Sequence, residues 1–164
     1  MVLMVMFAGL AVAMDADEDD TFLDLSDAYM LSGPLGDHHA GQSVAAVGDV
    51  NGDGNEDMVI GAYGDRTGGM DSGAAYVIYG PVTASDTLLI ADFKIYGSSH
   101  YDRVGYSVTP AGDVDGDGLA DILVGADGQG SAAGSPGAAY LVYSNNIQRS
   151  PPPTRTADSV GIRF

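Results

Sequence analysis

The sequence predicts an all-β protein, and three observations support this prediction. Its apolar stretches are short, rich in Val, Ile and Tyr, and bounded by Gly and Asp. No window of a dozen residues carries the helical apolar period, so helices should be minor. Residues 41–80 also recur without a gap as residues 105–144, with 18 identical positions at an offset of 64. Such recurrence is the signature of a repeat architecture.

Each repeat unit contains a set of short predicted strands. The first unit has four, at residues 43–47, 58–62, 74–79 and 93–96. The second has three, at residues 107–111, 122–126 and 138–143, before the pattern changes at Ser144. Repeated four-stranded units with regular Gly punctuation indicate a β-propeller, in which four-stranded antiparallel blades are arranged radially. We predict a partial propeller of about two blades, the second of which is incomplete.

Small and aromatic residues recur with the units. Tyr76 and Tyr79 return as Tyr140 and Tyr143, and a Gly-Ala pair at residues 61–62 returns at residues 125–126. Because the tyrosines follow the repeat, we expect them to pack between neighbouring sheets; the alternative is that they line a ligand surface. The Gly-Ala pairs should keep the inner strands slim near the propeller axis.

The remaining segments flank the two units, which span residues 21–96 and 97–144. Residues 1–20 start with an apolar run that is too short for a transmembrane anchor. Its Ala11-Val12-Ala13 triplet suits the cleavage region of a truncated signal peptide, followed by an acidic leader. The alternative is a disordered or edge-packed N-terminus. Residues 145–164 contain three consecutive prolines and are expected to form a disordered tail.

Composition excludes several classes of function. The chain has 23 acidic and 6 basic residues, a formal charge of −17, and therefore no basic patch for nucleic acid. It has no cysteine for disulfides, thiolate metal sites or a Cys nucleophile. Ser43 and Ser107 belong to the repeat, and no nucleophile with a base and an orienting group is recognisable, so an enzyme is not expected. The histidines are not repeated between the two units, so no functional role is expected for His38, His39 or His100.

A loop between the first and second strands of each unit carries the strongest chemical signal. Oxygen-bearing side chains stand at its positions 1, 3, 5 and 9, and Gly stands at position 6, where the chain reverses. The carbonyl of position 7 can turn inward as a further ligand. The candidate metal ligands are Asp49, Asn51, Asp53, Asn55 through its carbonyl, and Asp57 in the first loop, and Asp113, Asp115, Asp117, Leu119 through its carbonyl, and Asp121 in the second.

This set of ligands favours two calcium sites. Carboxylates and carbonyls without His or Cys suit Ca²⁺, Mg²⁺ or Mn²⁺, and Ca²⁺ best tolerates irregular geometry. Carboxylates crowded to ~4 Å repel by about 1 kcal/mol per pair in water, so each loop should splay without a cation. The formal charges of the two sites, counted over the side chains at positions 1, 3, 5 and 9, are −3 and −4, which predicts that the second loop depends more on metal. The alternative is that these Asp-Gly loops are turns with solvated charges.

The repeat resembles the FG-GAP repeat of the integrin α-subunit β-propeller over about residues 21–144. The resemblance is carried by G-D-V-N-G-D-G-N-E-D followed by G-A-A-Y-V-I-Y-G, and by their counterparts in the second unit. The Phe-Gly motif is altered to Ala40-Gly41 and Val104-Gly105, and Gly-Ala-Pro ends instead in Tyr63 and Asp127. The resemblance implies a ring of about seven blades, with one Ca²⁺ held by the candidate ligands of each loop.

The resemblance also implies a function. It suggests a calcium-binding propeller segment of an exported protein, at the cell surface, secreted or periplasmic, acting in adhesion or in protein or glycan recognition. The alternatives are an accessory module of a secreted hydrolase or lyase whose catalytic domain is outside this chain, or loops that are purely structural. Recognition is expected in the variable loops at residues 64–72 and 128–136. Two blades leave apolar faces uncovered, so we expect self-association or continuation in a longer chain.

Overall fold

The computed structural model describes residues 3–7, 10–14, 28–129, 136–147, 154–157 and 161–163. β-Strands dominate these residues. The helical segments are short, namely a 3₁₀ turn at Leu88–Ile90 and the helical turn α1 at Ser144–Ile147. The prediction of an all-β chain with minor helices is confirmed. Among the described residues, no helix has the length and apolar character needed to cross a bilayer.

The strands follow the predicted order along the chain. They are β1 (Leu3–Phe7), β2 (Leu10–Met14), β3 (Leu31–Ser32), β4 (Ala40–Gly48), β5 (Asp57–Ala62), β6 (Ala74–Ile78), β7 (Asp86–Thr87), β8 (Phe93–Tyr96), β9 (Val104–Gly112), β10 (Asp121–Ala126), β11 (Ala138–Val142), β12 (Thr154–Thr156) and β13 (Gly161–Arg163). The short strands β3 and β7 pair with each other in parallel beside the first blade.

Two antiparallel sheets form the blades. The first has the order β4-β5-β6-β8, with β12 added at the outer edge, and the second has the order β9-β10-β11-β13. Strands β9, β10 and β11 begin and end at the repeat equivalents of the first and last residues of β4, β5 and β6. The pairing repeats as well, since Ile60 lies opposite Val44 and Tyr76 in the first sheet, as Val124 lies opposite Val108 and Tyr140 in the second. The chain is a partial β-propeller.

A continuous apolar core joins the two blades. Because side chains alternate along a strand, Val59, Val77 and Ile95 of the first blade share one face, and this face packs against Val124 and Tyr140 of the second. The opposite face of the first blade carries a separate cluster around Tyr76, covered by Leu31, Leu88 and Val82. Equivalent faces of the two blades therefore point the same way, as propeller packing requires.

The expectation that the tyrosines pack between neighbouring sheets is confirmed for Tyr140 and Tyr79, which pack in the core between the two blades, whereas Tyr76 lies in the separate cluster on the opposite face of the first blade. Tyr76 and Tyr140 are almost fully buried, and Tyr79 packs against the inter-blade core. Tyr143 is half-buried. Tyr79 and Tyr143 each lie one residue beyond their strand, because β6 ends at Ile78 and β11 ends at Val142.

Gly61 is required where the two blades approach most closely. A Cβ at Gly61 would collide with the backbone carbonyl of Gly105, in the first strand of the next blade, and with Ser43 Oγ. Ser43 Oγ donates a hydrogen bond of 2.9 Å to the same Gly105 carbonyl, which fixes this approach. The prediction that Gly61 keeps the inner strand free of side-chain bulk is therefore confirmed. At its counterpart Gly125, an added Cβ would collide with the side chain of Ser107 instead of backbone from another blade.

The expectation of a disordered tail was wrong for those tail residues that the structure describes. Strand β12 pairs in parallel with β8, and β13 pairs antiparallel with β11 as a fourth strand of the second blade. The outer strands of both blades present backbone N–H and C=O groups at an open edge, and these short segments satisfy them. Strands as short as these cannot show a strand pattern in the sequence. The consecutive prolines at residues 151–153 lie outside the described residues.

The N-terminal segment contains a hairpin. Strands β1 and β2 pair antiparallel in a two-stranded sheet of their own. The acidic leader at residues 15–20 lies outside the described residues, and the signal peptide stays a prediction.

We expect Gly61→Ala to lower the free energy of unfolding by about 2 kcal/mol more than Gly125→Ala, because the first substitution forces backbone of two blades apart. In the second, the Ser107 side chain can change rotamer and relieve the collision. Urea unfolding followed by circular dichroism measures both variants. Equal losses would show that the Gly61 contact does not limit blade packing.

Candidate metal centre

The two Asp loops occupy equivalent places in the blades. Residues 49–56 join β4 to β5, and residues 113–120 join β9 to β10. Gly54 and Gly118, at position 6 of the loops, have φ values of +86° and +90°. This left-handed conformation strains residues that carry a Cβ, so glycine is the residue that makes the reversal. Most of each loop is exposed.

The Asp at position 1 shapes each loop. Asp49 Oδ1 accepts from Gly52 N at 2.6 Å and Asp49 Oδ2 accepts from Gly54 N at 2.8 Å. In the second loop, Asp113 accepts from Gly116 N at 2.7 Å and from Gly118 N at 2.9 Å. Backbone N–H groups thus turn inward around one carboxylate, and the following side chains are gathered above it.

The first loop has an amide at position 3 and a single carboxylate at position 5. Asn51 Nδ2 donates to Asp53 Oδ2 at 3.0 Å, and Asn55 donates to Asp53 Oδ1 through its backbone N–H at 2.8 Å. The Asn51 amide contributes most to lowering the pKa of Asp53, followed by the Asn55 backbone. The Asp53 carboxylate is therefore stabilised by hydrogen bonds from the Asn51 side-chain amide and the Asn55 backbone amide.

The second loop concentrates more negative charge. Asp113, Asp115 and Asp117 are exposed, and one oxygen of each lies within 4.8 Å of the others. Loss of hydration and then the neighbouring carboxylates, Asp117 foremost, raise the pKa of Asp115. Three convergent oxygen donors without His or Cys fit a hard cation. The structure thus brings together three of the five predicted ligands of this loop.

The Asp at position 9 is placed differently from the others. Asp57 is fully buried and accepts from Val50 N and from Gly80 N, both at 2.9 Å. Its counterpart Asp121 accepts from Val114 N at 2.8 Å and from Ser144 N at 2.9 Å. Burial raises the pKa of Asp57 more than these backbone donors lower it. Each carboxylate therefore clamps the loop to the end of the third strand.

Ligand roles at positions 7 and 9 stay predictions. The backbone N–H groups of Asn55 and Leu119 donate to Asp53 and Asp117. These hydrogen bonds fix the N–H groups of the two residues, and they do not fix the direction of the carbonyls that are the predicted ligands. Asp57 and Asp121 use both carboxylate oxygens for backbone donors, although each oxygen has a second lone pair.

Two side chains after β11 reach the second loop. Ser144 Oγ donates to Asp117 Oδ2 at 3.1 Å, and Asn145 Nδ2 donates to Asp115 Oδ2 at 3.2 Å. The residues at the equivalent positions of the first blade are Gly80 and Pro81, whose side chains offer no hydrogen-bond donor. The more negative loop thus receives two additional neutral donors.

Sequence reasoning missed a buried charge cluster around Asp65. Asp65 Oδ2 accepts from Tyr76 OH at 2.6 Å and from Lys94 Nζ at 2.9 Å, and Oδ1 accepts from Thr67 N at 2.8 Å. His38 Nδ1 lies 3.2 Å from the same Oδ2. Burial alone would raise the pKa of Asp65, but donors from Thr67, Tyr76 and Lys94 lower it to about 2.

The second blade contains a neutral version of this cluster. Gln129 is the repeat equivalent of Asp65, and its Oε1 accepts from Tyr140 OH at 2.9 Å. The repeat alignment could have revealed the tyrosine and its acceptor in this cluster, because it pairs each tyrosine with a polar residue at the same earlier position of its unit. Asp65 and Ser72 are fully buried, so part of the variable loop at residues 64–72 is structural. Most of its counterpart, residues 130–135, lies outside the described residues.

The histidines make structural contacts. His38 is buried beside Asp65, His39 stacks on Tyr63 with ring centroids 4.7 Å apart, and His100 Nδ1 accepts from Met70 N at 3.1 Å. These contacts account for the positions of the histidines without a catalytic or metal-binding role.

Comparisons with known proteins identify the repeat. Residues 40–78 and 104–142 each match the FG-GAP repeat family. The chain is 42% identical to "Integrin alpha pat-2" of Caenorhabditis elegans over 96 residues, and 35% identical to "Integrin alpha-2" of Bos taurus over 106 residues. It is 32% identical to "Integrin alpha-IIb" of Mus musculus over 141 residues. The matches cover 57%, 60% and 80% of this chain but span only 8%, 9% and 13% of those relatives.

We expect Asp57→Ala to lower the free energy of unfolding by about 2 kcal/mol even in excess chelator, because it leaves two backbone N–H groups without their acceptor. Asp53→Ala, in the exposed part of the same loop, should change it little under the same conditions. Urea unfolding in chelator measures both variants. If both were equally mild, the buried carboxylate would not be a clamp.

We expect Asp65→Asn to remove about 2 kcal/mol of stability at neutral pH and to flatten the acid limb of the stability curve. The native pKa is depressed to about 2, so the stabilisation is present above the unfolded pKa, about 3.9, and is lost as pH falls from there toward 2. Thermal unfolding across this range measures the effect. Asp127→Asn, which removes an exposed carboxylate, is the control and should leave the acid limb unchanged. An acid limb that Asp65→Asn does not alter would contradict this account.

Proposed function

Because this chain is an FG-GAP repeat protein whose two repeats are similar to those of integrin α subunits, we propose that it is a calcium-binding propeller segment acting in adhesion outside the cell. The observation that carries the calcium proposal is the convergence of Asp113, Asp115 and Asp117. The same loop recurs in the first blade, and both lie within residues that match the family.

The proposed ligands divide into two groups. Positions 1, 3 and 5 of each loop supply side-chain oxygens, from Asp49, Asn51 and Asp53 in the first loop and from Asp113, Asp115 and Asp117 in the second; Asp49 and Asn51 are half-buried and the other four are exposed. The carbonyls of Asn55 and Leu119 and the buried carboxylates of Asp57 and Asp121 complete the sites. This gives the oxygen-rich coordination that Ca²⁺ prefers. Loss of hydration is the main cause of the raised pKa of Asp115, and repulsion from Asp117, Asp121 and Asp113 adds to it; a bound cation would relieve this repulsion.

Calcium in these loops would support binding and not chemistry. The ions would lie where the first two strands of a blade meet, so they would stabilise the sheet that presents other loops. Extracellular Ca²⁺ modules use dissociation constants of about 10⁻⁴ to 10⁻³ M, which suits a protein outside the cell. No feature of the described residues favours the alternative of an accessory module of a secreted hydrolase or lyase.

The ends of the strands opposite the calcium loops are the proposed recognition surface. His39, Tyr63 and Tyr106 lie at these ends and form a continuous aromatic row, because Tyr63 stacks on His39 and meets Tyr106 edge-on at 5.6 Å. Tyr106 is 43% exposed. Exposed aromatic rings are common in surfaces that bind proteins or glycans, so we assign the extracellular ligand to this end.

We expect calcium to raise the melting temperature of the protein. Asp117→Ala should abolish most of the part of this increase that comes from calcium bound in the second loop. A ligand at 100 times its dissociation constant adds about 2.7 kcal/mol to the folded state. Isothermal titration calorimetry counts the sites, and thermal unfolding with calcium or excess chelator measures the stabilisation. Asp127→Asn is the matched control outside the loops. Absence of a calcium heat, or equal losses in calcium and chelator, would contradict the calcium proposal.

A further inference from the structure

We propose that Asn51 is a deamidation site, at which the first loop converts an amide into a carboxylate and acquires the donor set of the second loop. The chain has four asparagines, and Asn51 is the one followed by glycine. Glycine leaves the next backbone nitrogen unhindered, which is the requirement for attack on the asparagine side chain. Gly52 is exposed and Asn51 is half-buried, so water can reach the products.

Each of the reacting groups is engaged by a hydrogen bond within the loop. The nucleophile is Gly52 N, whose hydrogen is directed at Asp49 Oδ1 over 2.6 Å. The electrophile is the side-chain carbonyl of Asn51, whose Oδ1 accepts from Asp53 N at 2.8 Å. That donor would stabilise the negative charge that develops on Oδ1 during attack. Asn51 Nδ2, the leaving group, is held by Asp53 Oδ2 at 3.0 Å, so the side chain is fixed at both ends.

The chemistry needs water as its only co-reactant. Gly52 N forms a bond to Asn51 Cγ while the Cγ–Nδ2 bond breaks, and the proton lost by Gly52 N leaves with Nδ2 as ammonia. Water then opens the cyclic imide at one of its two carbonyls. One product is aspartate at position 51, and the other is isoaspartate, in which the main chain passes through the side-chain carbon.

The product would change the charge of the proposed metal site. Position 3 of the second loop is already Asp115, so an aspartate at position 51 would change the formal charge of the side chains at positions 1, 3, 5 and 9 from −3 to −4 and match that of the second site. Isoaspartate lengthens the loop backbone and displaces position 5 from its register. This consequence rests on the proposed calcium function, whereas the deamidation itself does not.

The test follows Asn51 by peptide mapping and mass spectrometry at mildly alkaline pH. The full chain is incubated folded in excess chelator, folded with calcium, and denatured in urea. Deamidation adds about one dalton to the Asn51 residue. Asn55, in the same loop but followed by Glu56, is the internal control. We expect Asn51 to convert in chelator while Asn55 does not, and calcium to slow the conversion about tenfold by engaging Asp49 and Asn51.

Two outcomes would overturn the proposal. One is an Asn51 amide that remains intact in the folded, chelator-treated chain over the time in which the denatured chain deamidates. The other is an Asp49→Asn variant that converts at the unchanged rate, since the loop would then give no assistance. Slower conversion in that variant supports the proposal. Conversion that calcium does not slow, in protein that shows no calcium heat by calorimetry, counts against the calcium function alone.

Discussion

The buried carboxylate at position 9 of each Asp loop is the constraint on which the blade depends. Asp57 accepts from Val50 in the loop and from Gly80 after the third strand, so one side chain joins two segments that are distant along the chain. An isolated buried carboxylate is costly unless its oxygens are hydrogen-bonded. The loop must therefore keep the conformation that supplies these donors, and the side-chain oxygens at positions 1, 3 and 5 are arranged as a result.

The two blades keep this scaffold while their charges differ. Asn51 stands where the second blade has Asp115, and Asp65 stands where it has Gln129. In each case the hydrogen-bond geometry is preserved, because an amide oxygen replaces a carboxylate oxygen as acceptor. Lys94 accompanies the charged version in the first blade, where it also lies 4.8 Å from the Tyr76 ring centroid. Local charge has diverged without disturbing the strands.

The sequence predicted most of the fold because the repeat encodes local information twice. Strand positions, loop positions and the tyrosine packing all follow from the recurrence of the first unit in the second. The sequence did not predict the edge strands β12 and β13, since so short a strand takes its pairing from an open edge and not from its own pattern. The Asp65 cluster was also missed, because Lys94 and His38 come from outside the aligned segment and meet Asp65 only in the folded blade.

The residues of the candidate site were predictable from the sequence, but the different roles of its buried and exposed carboxylates were not. Spacing identified all four acidic or amide side chains of each loop, yet it treated position 9 as equivalent to the others. The structure separates them, because Asp121 is buried under Ser144 while Asp113, Asp115 and Asp117 are exposed. A cation would therefore act mainly on the exposed group, within one blade. The contact between blades depends instead on apolar packing and on the backbone approach at Gly61 and Gly105, and neither of these involves a carboxylate.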